Sequence, residues 1–132
     1  MNKGLKVGAF CSLVLALSGC SSSAQKQQHL ELLADNRAQL LSSELPLEAG
    51  PLSIMRANAK GSTIELMMVY NQDAKGAKPT AQVLQQSIST YCSNPTIRSN
   101  LEVGLTYRIK MRNNRGQLMA DELVNLQRCE SK

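Results

Sequence analysis

The sequence predicts a small single α+β domain, built on a mainly antiparallel sheet of about four strands with helices on one face. Three observations carry this expectation: helix-spaced apolar positions from Leu30 to Leu45, period-two alternation at Ile64 to Tyr70 and Leu105 to Met111, and a helical stretch opened by Asn94-Pro95 between the two strand pairs. The order read along the chain is helix, two strands, two helices, two strands.

The first helix rests on Leu30, Leu33, Arg37, Leu41 and Leu45, with Ala34 and Ala38 between, while Asp35, Asn36 and Gln39 fall on other faces. It ends by Pro46, because the residue before a proline is driven out of the α region. Arg37 on that stripe reads as a stem lying over apolar surface with a solvated head. After Glu48-Ala49-Gly50-Pro51 the period changes to two. Leu52 and Ile54, then Ile64, Leu66, Met68 and Tyr70, face one way across a turn around Asn58 to Gly61, which makes a hairpin. Met67 and Val69 leave its other face partly apolar, a candidate docking patch, although single apolar residues are common on surfaces.

Residues 71–79 (NQDAKGAKP) form a loop by composition. A second helix from about Thr80 to Tyr91 buries Val83, Leu84, Ile88, Tyr91 and Cys92. Asn94 then caps a short helix with Pro95 at its first position, carrying Ile97 and Leu101 and stopping at Gly104. Leu105 to Arg112 is the clearest strand, with Leu105, Tyr107, Ile109 and Met111 on one face and Thr106, Arg108, Lys110 and Arg112 on the other. Residues 113–116 turn the chain, and Leu118 to Cys129 returns as the last strand, interrupted by Asp121 and Glu122. Those acids lie on the strand facing the basic row, so cross-strand charge pairing is a sufficient account of Arg108, Lys110 and Arg112.

The first 20 residues bear on the compartment. Lys3 and Lys6 precede an uncharged run from Val7 to Leu17, the n-region and h-region of a secretory signal, too short to cross about 30 Å of hydrocarbon as a helix. Leu17, Ser18 and Gly19 then lead into Cys20 in the pattern of a lipobox, in which the cysteine becomes the first mature residue and carries a covalent lipid. The chain therefore divides into a removed signal peptide (1–19), a Ser- and Gln-rich flexible tether (20–28) and a folded domain (29–132). Removing 19 of 132 residues leaves 113, and Lys3 and Lys6 leave while no acid does, so the formal charge falls from +5 to +3. With that mild charge, no Trp, and the single Phe inside the signal, the aromatic platforms that stack nucleobases are missing and nucleic acid is not an expected partner.

Cysteine usage changes with the same recount. Cys11 goes with the signal and Cys20 to the lipid, leaving Cys92 and Cys129 to pair in an oxidising periplasm. Such a bridge closes a loop of about 38 residues and stabilises by roughly 4 kcal/mol in the chain-entropy model. Catalytic chemistry is sparse. The lone His29 falls beside the tether, and Asp121 and Glu122 are strand neighbours whose side chains point to opposite faces. There is no GxSxG, phosphate loop or metal-ligand spacing, so the expectation is a protein with no enzymatic activity, no metal and no small-molecule substrate, its only added group being the lipid on Cys20.

The lipoprotein start, the run LLSSELPL at 40–47, YCSNPTI at 91–97 followed by Leu101, GLTYRI at 104–109 and the late Cys129 together resemble the small pilotins of type II secretion, of the AspS or GspS-beta kind. The similarity spans about Leu40 to Cys129. It implies a lipoprotein, anchored to the outer membrane through Cys20 with its domain in the periplasm, that binds the C-terminal segment of secretin subunits and promotes their targeting and assembly. Ser21, in place of an acidic residue that retains lipoproteins in the inner membrane, fits export by the lipoprotein sorting machinery. Two docking places are candidates: the edge between the first hairpin and a helix, near Met67 and Val69, and the helix pair around Ile88 and Ile97. The alternative is an outer-membrane structural or binding lipoprotein of another envelope complex.

Overall fold

A computed structural model describes residues 21–131, so the signal peptide, the lipobox and Cys20 lie outside the described residues. Nine elements follow in order: α1 (Ser21–Ser42), β1 (Leu47–Ala49), β2 (Leu52–Lys60), β3 (Thr63–Tyr70), α2 (Thr80–Ser93), α3 (Pro95–Glu102), β4 (Thr106–Asn113), β5 (Leu118–Val124) and α4 (Leu126–Glu130). The strands form one five-stranded sheet in the order β1-β2-β3-β4-β5. Neighbours pair antiparallel except β3 and β4, which run parallel from Thr63↔Thr106 to Tyr70↔Asn113. The parallel pair follows from connectivity, since α2 and α3 supply the long crossover that two adjacent parallel strands need.

The predicted α+β class and element order hold, with four differences of detail. The sheet has a fifth strand, because β1 is three exposed residues, too short to show a period in sequence. The first hairpin turns later than Asn58, since β2 runs on to Lys60, which pairs with Thr63 across Gly61 at φ +58°. Helix α1 begins at Ser21, before the expected tether gives way to the domain at residue 29. Residues 22–29 are all exposed, and their Ala, Gln and Lys content favours continuing a helix already nucleated by the packed half. The last strand stops at Val124, where the Asn125 side chain accepts from the Arg128 N–H and starts α4, so Cys129 sits on a helix.

The core lies between the sheet and the helices. Ile64, Leu66, Met68 and Tyr70 of β3 and Tyr107, Ile109 and Met111 of β4 are buried on one face, as the alternation required. Ala34 and Ala38 of α1 are fully buried beside Ala57, small residues that let helix and sheet approach, and Ser42 Oγ donates to the Ala57 carbonyl at 2.7 Å. The α3 cap is as the sequence predicts, with Asn94 Oδ1 accepting from the Thr96 and Ile97 N–H groups at 3.0 and 3.1 Å. At Gly104, φ is +110° and an added Cβ would lie 3.4 Å from Leu30 Cδ1, so the bend that leaves α3 needs this residue.

Cys92 and Cys129 are bonded, with 5.4 Å between their Cα atoms. Because Cys129 is on α4, the bridge joins two helices, whereas a last strand running on to Cys129, as the sequence predicts, would have tied helix to sheet.

Candidate functional site

Helix α1 packs over β2 and β3, while α2 packs against α3, α4 and β5. Between α1 and α2 the helix-side face of β1 and the first half of β2 carries no helix. Leu52 and Ile54 are only half-buried there, although Met68 and Tyr70 on the same face of the next strand are 1% exposed. The result is an apolar groove of about 400 Å³. Its floor is Leu52, Ile54, Met68 and Tyr70, its rim Ala49 and Pro51, and its wall the α2 residues Val83, Gln86, Ser87 and Thr90, with Tyr91 behind.

Those α2 positions recur at i, i+3, i+4 and i+7, so one stripe of the helix lines the groove along about 10 Å. The hydroxyls on it are committed to their own helix, Ser87 Oγ to the Val83 carbonyl and Thr90 Oγ1 to the Gln86 carbonyl, both at 2.9 Å. Burial, with the neighbouring Tyr107, pushes the Tyr91 phenol well above its usual range, so it stays neutral. At the mouth, the Tyr70 phenol donates to the Lys78 carbonyl at 2.6 Å and pins the end of the 71–79 loop to the floor. Lys78 is the sole charged residue on the groove lining. An arrangement of this kind has the apolar lining and few fixed polar groups suited to burying an apolar segment.

Residues 26–129 match the family model described as type II secretion system (T2SS) pilotin, S protein. The chain belongs to that pilotin family. Among solved structures it is 68% identical to the pilotin AspS from Vibrio cholerae, over 82% of this chain and 99% of that one, with a TM-score of 0.78. It is 50% identical to the type 2 secretion pilotin EpsS of Vibrio vulnificus, over 83% and 99% of the two chains, again with a TM-score of 0.78. A curated relative, Pilotin AspS 2 of Escherichia coli O78:H11 (strain H10407 / ETEC), is 26% identical over 105 residues, 79% of this chain and 77% of that protein.

The structure divides the pilotin's four docking candidates between two places. Met67 and Val69 are half-buried on the sheet face away from the helices, the face that carries the basic row. There Arg108 makes a two-pronged pair with Asp121, both contacts 2.7 Å, and Lys110 meets Glu65 at 3.1 Å. Arg112 donates to the Gly116 carbonyl. Burial works against ionising Glu65, but the Lys110 hydrogen bond and the charges of Lys110, Lys60 and Arg108 outweigh it and hold the carboxyl below its usual range. Asp121 is held low likewise, chiefly by its bond to Arg108.

Ile88 is buried in the core and Ile97 half-buried beside it. Ile88, with the two bonded cysteines, also borders a polar cavity of about 370 Å³ whose arginines, Arg98 and Arg128, are engaged with Glu102, Glu130 and Glu122. None of the four docking candidates lines the apolar groove. The groove does lie between the first hairpin and a helix, but the side chains on it are Ile54, Met68 and Tyr70, which the sequence assigned to core. Asp121 and Glu122 point apart, toward Arg108 and Arg128 respectively. His29 is exposed on α1, and among the described residues no three His, Cys, Asp or Glu side chains come together as a metal site.

Proposed function

We propose that this pilotin binds the C-terminal segment of type II secretion secretin subunits in the groove between α2 and the β1–β2–β3 edge, and carries them to the outer membrane for assembly. The observation that supports this reading is the missing cover: a two-layer fold leaves Leu52, Ile54 and Val83 half-buried along an apolar slot of about 400 Å³. A secretin tail that orders on docking would lay the apolar face of an amphipathic helix into that slot. Binding, with no catalytic step, is the whole of the role.

Delivery rests on the N-terminus. The signal peptide (1–19) is removed after the lipobox Leu17, Ser18 and Gly19, and acyl chains, palmitate among them, on Cys20 hold the protein in the outer membrane with its domain in the periplasm. Several chains on one residue make that hold stable where a single chain would be marginal. The lipoprotein sorting machinery meets the protein in transit. Among the described residues no helix is long and apolar enough to cross a membrane, so on this reading the lipid supplies the attachment.

The test separates the groove from the fold. Ile54→Asp places a charge in the slot at a half-buried position, and is expected to weaken binding of a secretin C-terminal peptide more than tenfold by calorimetry while the domain still folds. Secretin multimers that reach the outer membrane normally in a strain lacking this gene and any redundant pilotin would sink the proposal.

A further inference from the structure

We propose that Lys78 reads a carboxylate of the docked segment, and in doing so fixes which way round the segment lies in the groove. The inference rests on the reading that the groove takes the secretin tail, and adds to it the chemistry of one end.

Four features point to Lys78. It is the one charged residue on the lining, set against an apolar floor and hydroxyls already bonded within α2. Like Lys26, Arg37, Arg56, Lys75 and Arg112 it forms no ion pair among the described residues, and it is the one of these that lines the groove. Its backbone is held while its ammonium is not: the buried Tyr70 phenol takes the Lys78 carbonyl, and Pro79 follows at φ −54° before α2 begins. Finally, it lies at one end of the slot. Lys78 precedes the start of α2, whereas Thr90 and Tyr91, near the C-terminal end of α2, line the slot farther along.

A groove that is apolar along its length and charged at one end treats the two orientations of a helix differently. Burying apolar side chains supplies affinity in either direction. Only one direction brings an acidic side chain, or the terminal carboxylate of the tail, to the ammonium, and the reverse leaves that carboxylate unpaired at the Thr90–Tyr91 end of the slot. Lys78 is exposed, so its direct contribution to affinity is modest and depends on salt. Its larger effect is on register, by the penalty against the wrong arrangement.

The full chain, purified in detergent, is titrated with a synthetic peptide of the C-terminal segment of the secretin encoded by the same genome. Lys78→Ala is expected to weaken binding about fivefold and Lys78→Glu further, with a shallower salt dependence than wild type. Lys75→Glu, on the same loop but off the groove lining, should match wild type once salt is raised. A peptide with the relevant acid changed to Lys should bind Lys78→Glu better than it binds wild type. An amidated C-terminus that reproduces the Lys78→Ala loss identifies the terminal carboxylate as the group read; single Asp→Asn or Glu→Gln changes that do so identify a side chain. Wild-type binding that Ile54→Asp abolishes but Lys78→Glu leaves unchanged overturns this inference and spares the groove. A peptide that wild type does not bind, or binds regardless of Ile54→Asp, overturns both.

Discussion

Glu65 shows how one side chain carries a pH dependence. It sits on the face of the sheet away from the helices, largely buried, with Lys110 at 3.1 Å and Lys60 at 3.6 Å. Its folded-state pKa lies below the unfolded value of about 4.5, so the carboxylate form stabilises the fold above that value. That contribution disappears as pH falls through the folded pKa, and the sign is therefore a loss of stability on acidification below the ordinary carboxylate range. Glu65→Gln is expected to destabilise at pH 7 by about 1 to 2 kcal/mol, mostly through the Lys110 bond since Lys60 is well exposed. Urea midpoints for the variant should change less between pH 6 and pH 3 than those of wild type. A variant that loses as much stability on acidification as wild type would assign the acid limb to other carboxylates. The sequence predicts cross-strand charge pairing of Arg108, Lys110 and Arg112 with the acids of β5; Arg108 meets Asp121 in this way, whereas Lys110 pairs with Glu65 and Arg112 donates to the Gly116 carbonyl. That Lys110 would reach across to Glu65 on β3 was hidden, because the parallel pairing of β3 with β4 is set by a crossover that no local pattern records.

Period and caps describe an element from within, and they do well where an element is long enough to show them. The alternation at β3 and β4, the α2 stripe and the Asn94-Pro95 start of α3 are all visible in sequence for that reason. Three-residue β1 and five-residue α4 leave no period, and α4 took Cys129 off the strand to which the sequence had extended. The groove was illegible for a different reason. Ile54 and Met68 have the same parity and pair across β2 and β3, yet Ile54 is half-buried and Met68 buried, a difference decided by where α1 and α2 settle. The disulfide tests how far that helix layer depends on covalent support. Closing a loop of 37 residues of separation, it should contribute roughly 4 kcal/mol by restricting the unfolded chain. The double variant Cys92→Ala with Cys129→Ala should lower the urea midpoint accordingly, with α2 and α4 exchanging amide hydrogens faster and β3 and β4 last to open. Gly104→Ala acts at the next joint, and the left-handed backbone together with Leu30 at 3.4 Å predicts a loss of about 1 to 2 kcal/mol.

At the scale of the whole molecule, the proposed role separates holding a partner from moving it. The groove lies between α2 and the sheet, while α1 runs on past its first half-buried residue, Leu30, to Ser21. Eight exposed residues, 22–29, extend the helix by about 12 Å. The stretch is helical where the sequence suggests a flexible tether, and a helix sets a standoff that a coil would blur. Deleting residues 22–28 should therefore change unfolding free energy by less than about 0.5 kcal/mol and leave peptide affinity unaltered, because no buried contact or groove side chain is touched. Cys20→Ser isolates the other half of the role. Without the lipid the domain should bind the secretin tail in solution as wild type does, yet secretin should accumulate outside the outer-membrane fraction, unassembled. Loss of peptide binding in Cys20→Ser would place part of the recognition surface on the lipidated end. Normal secretin delivery by the unlipidated chain would show that the partner, and not the lipid, directs the complex to its membrane.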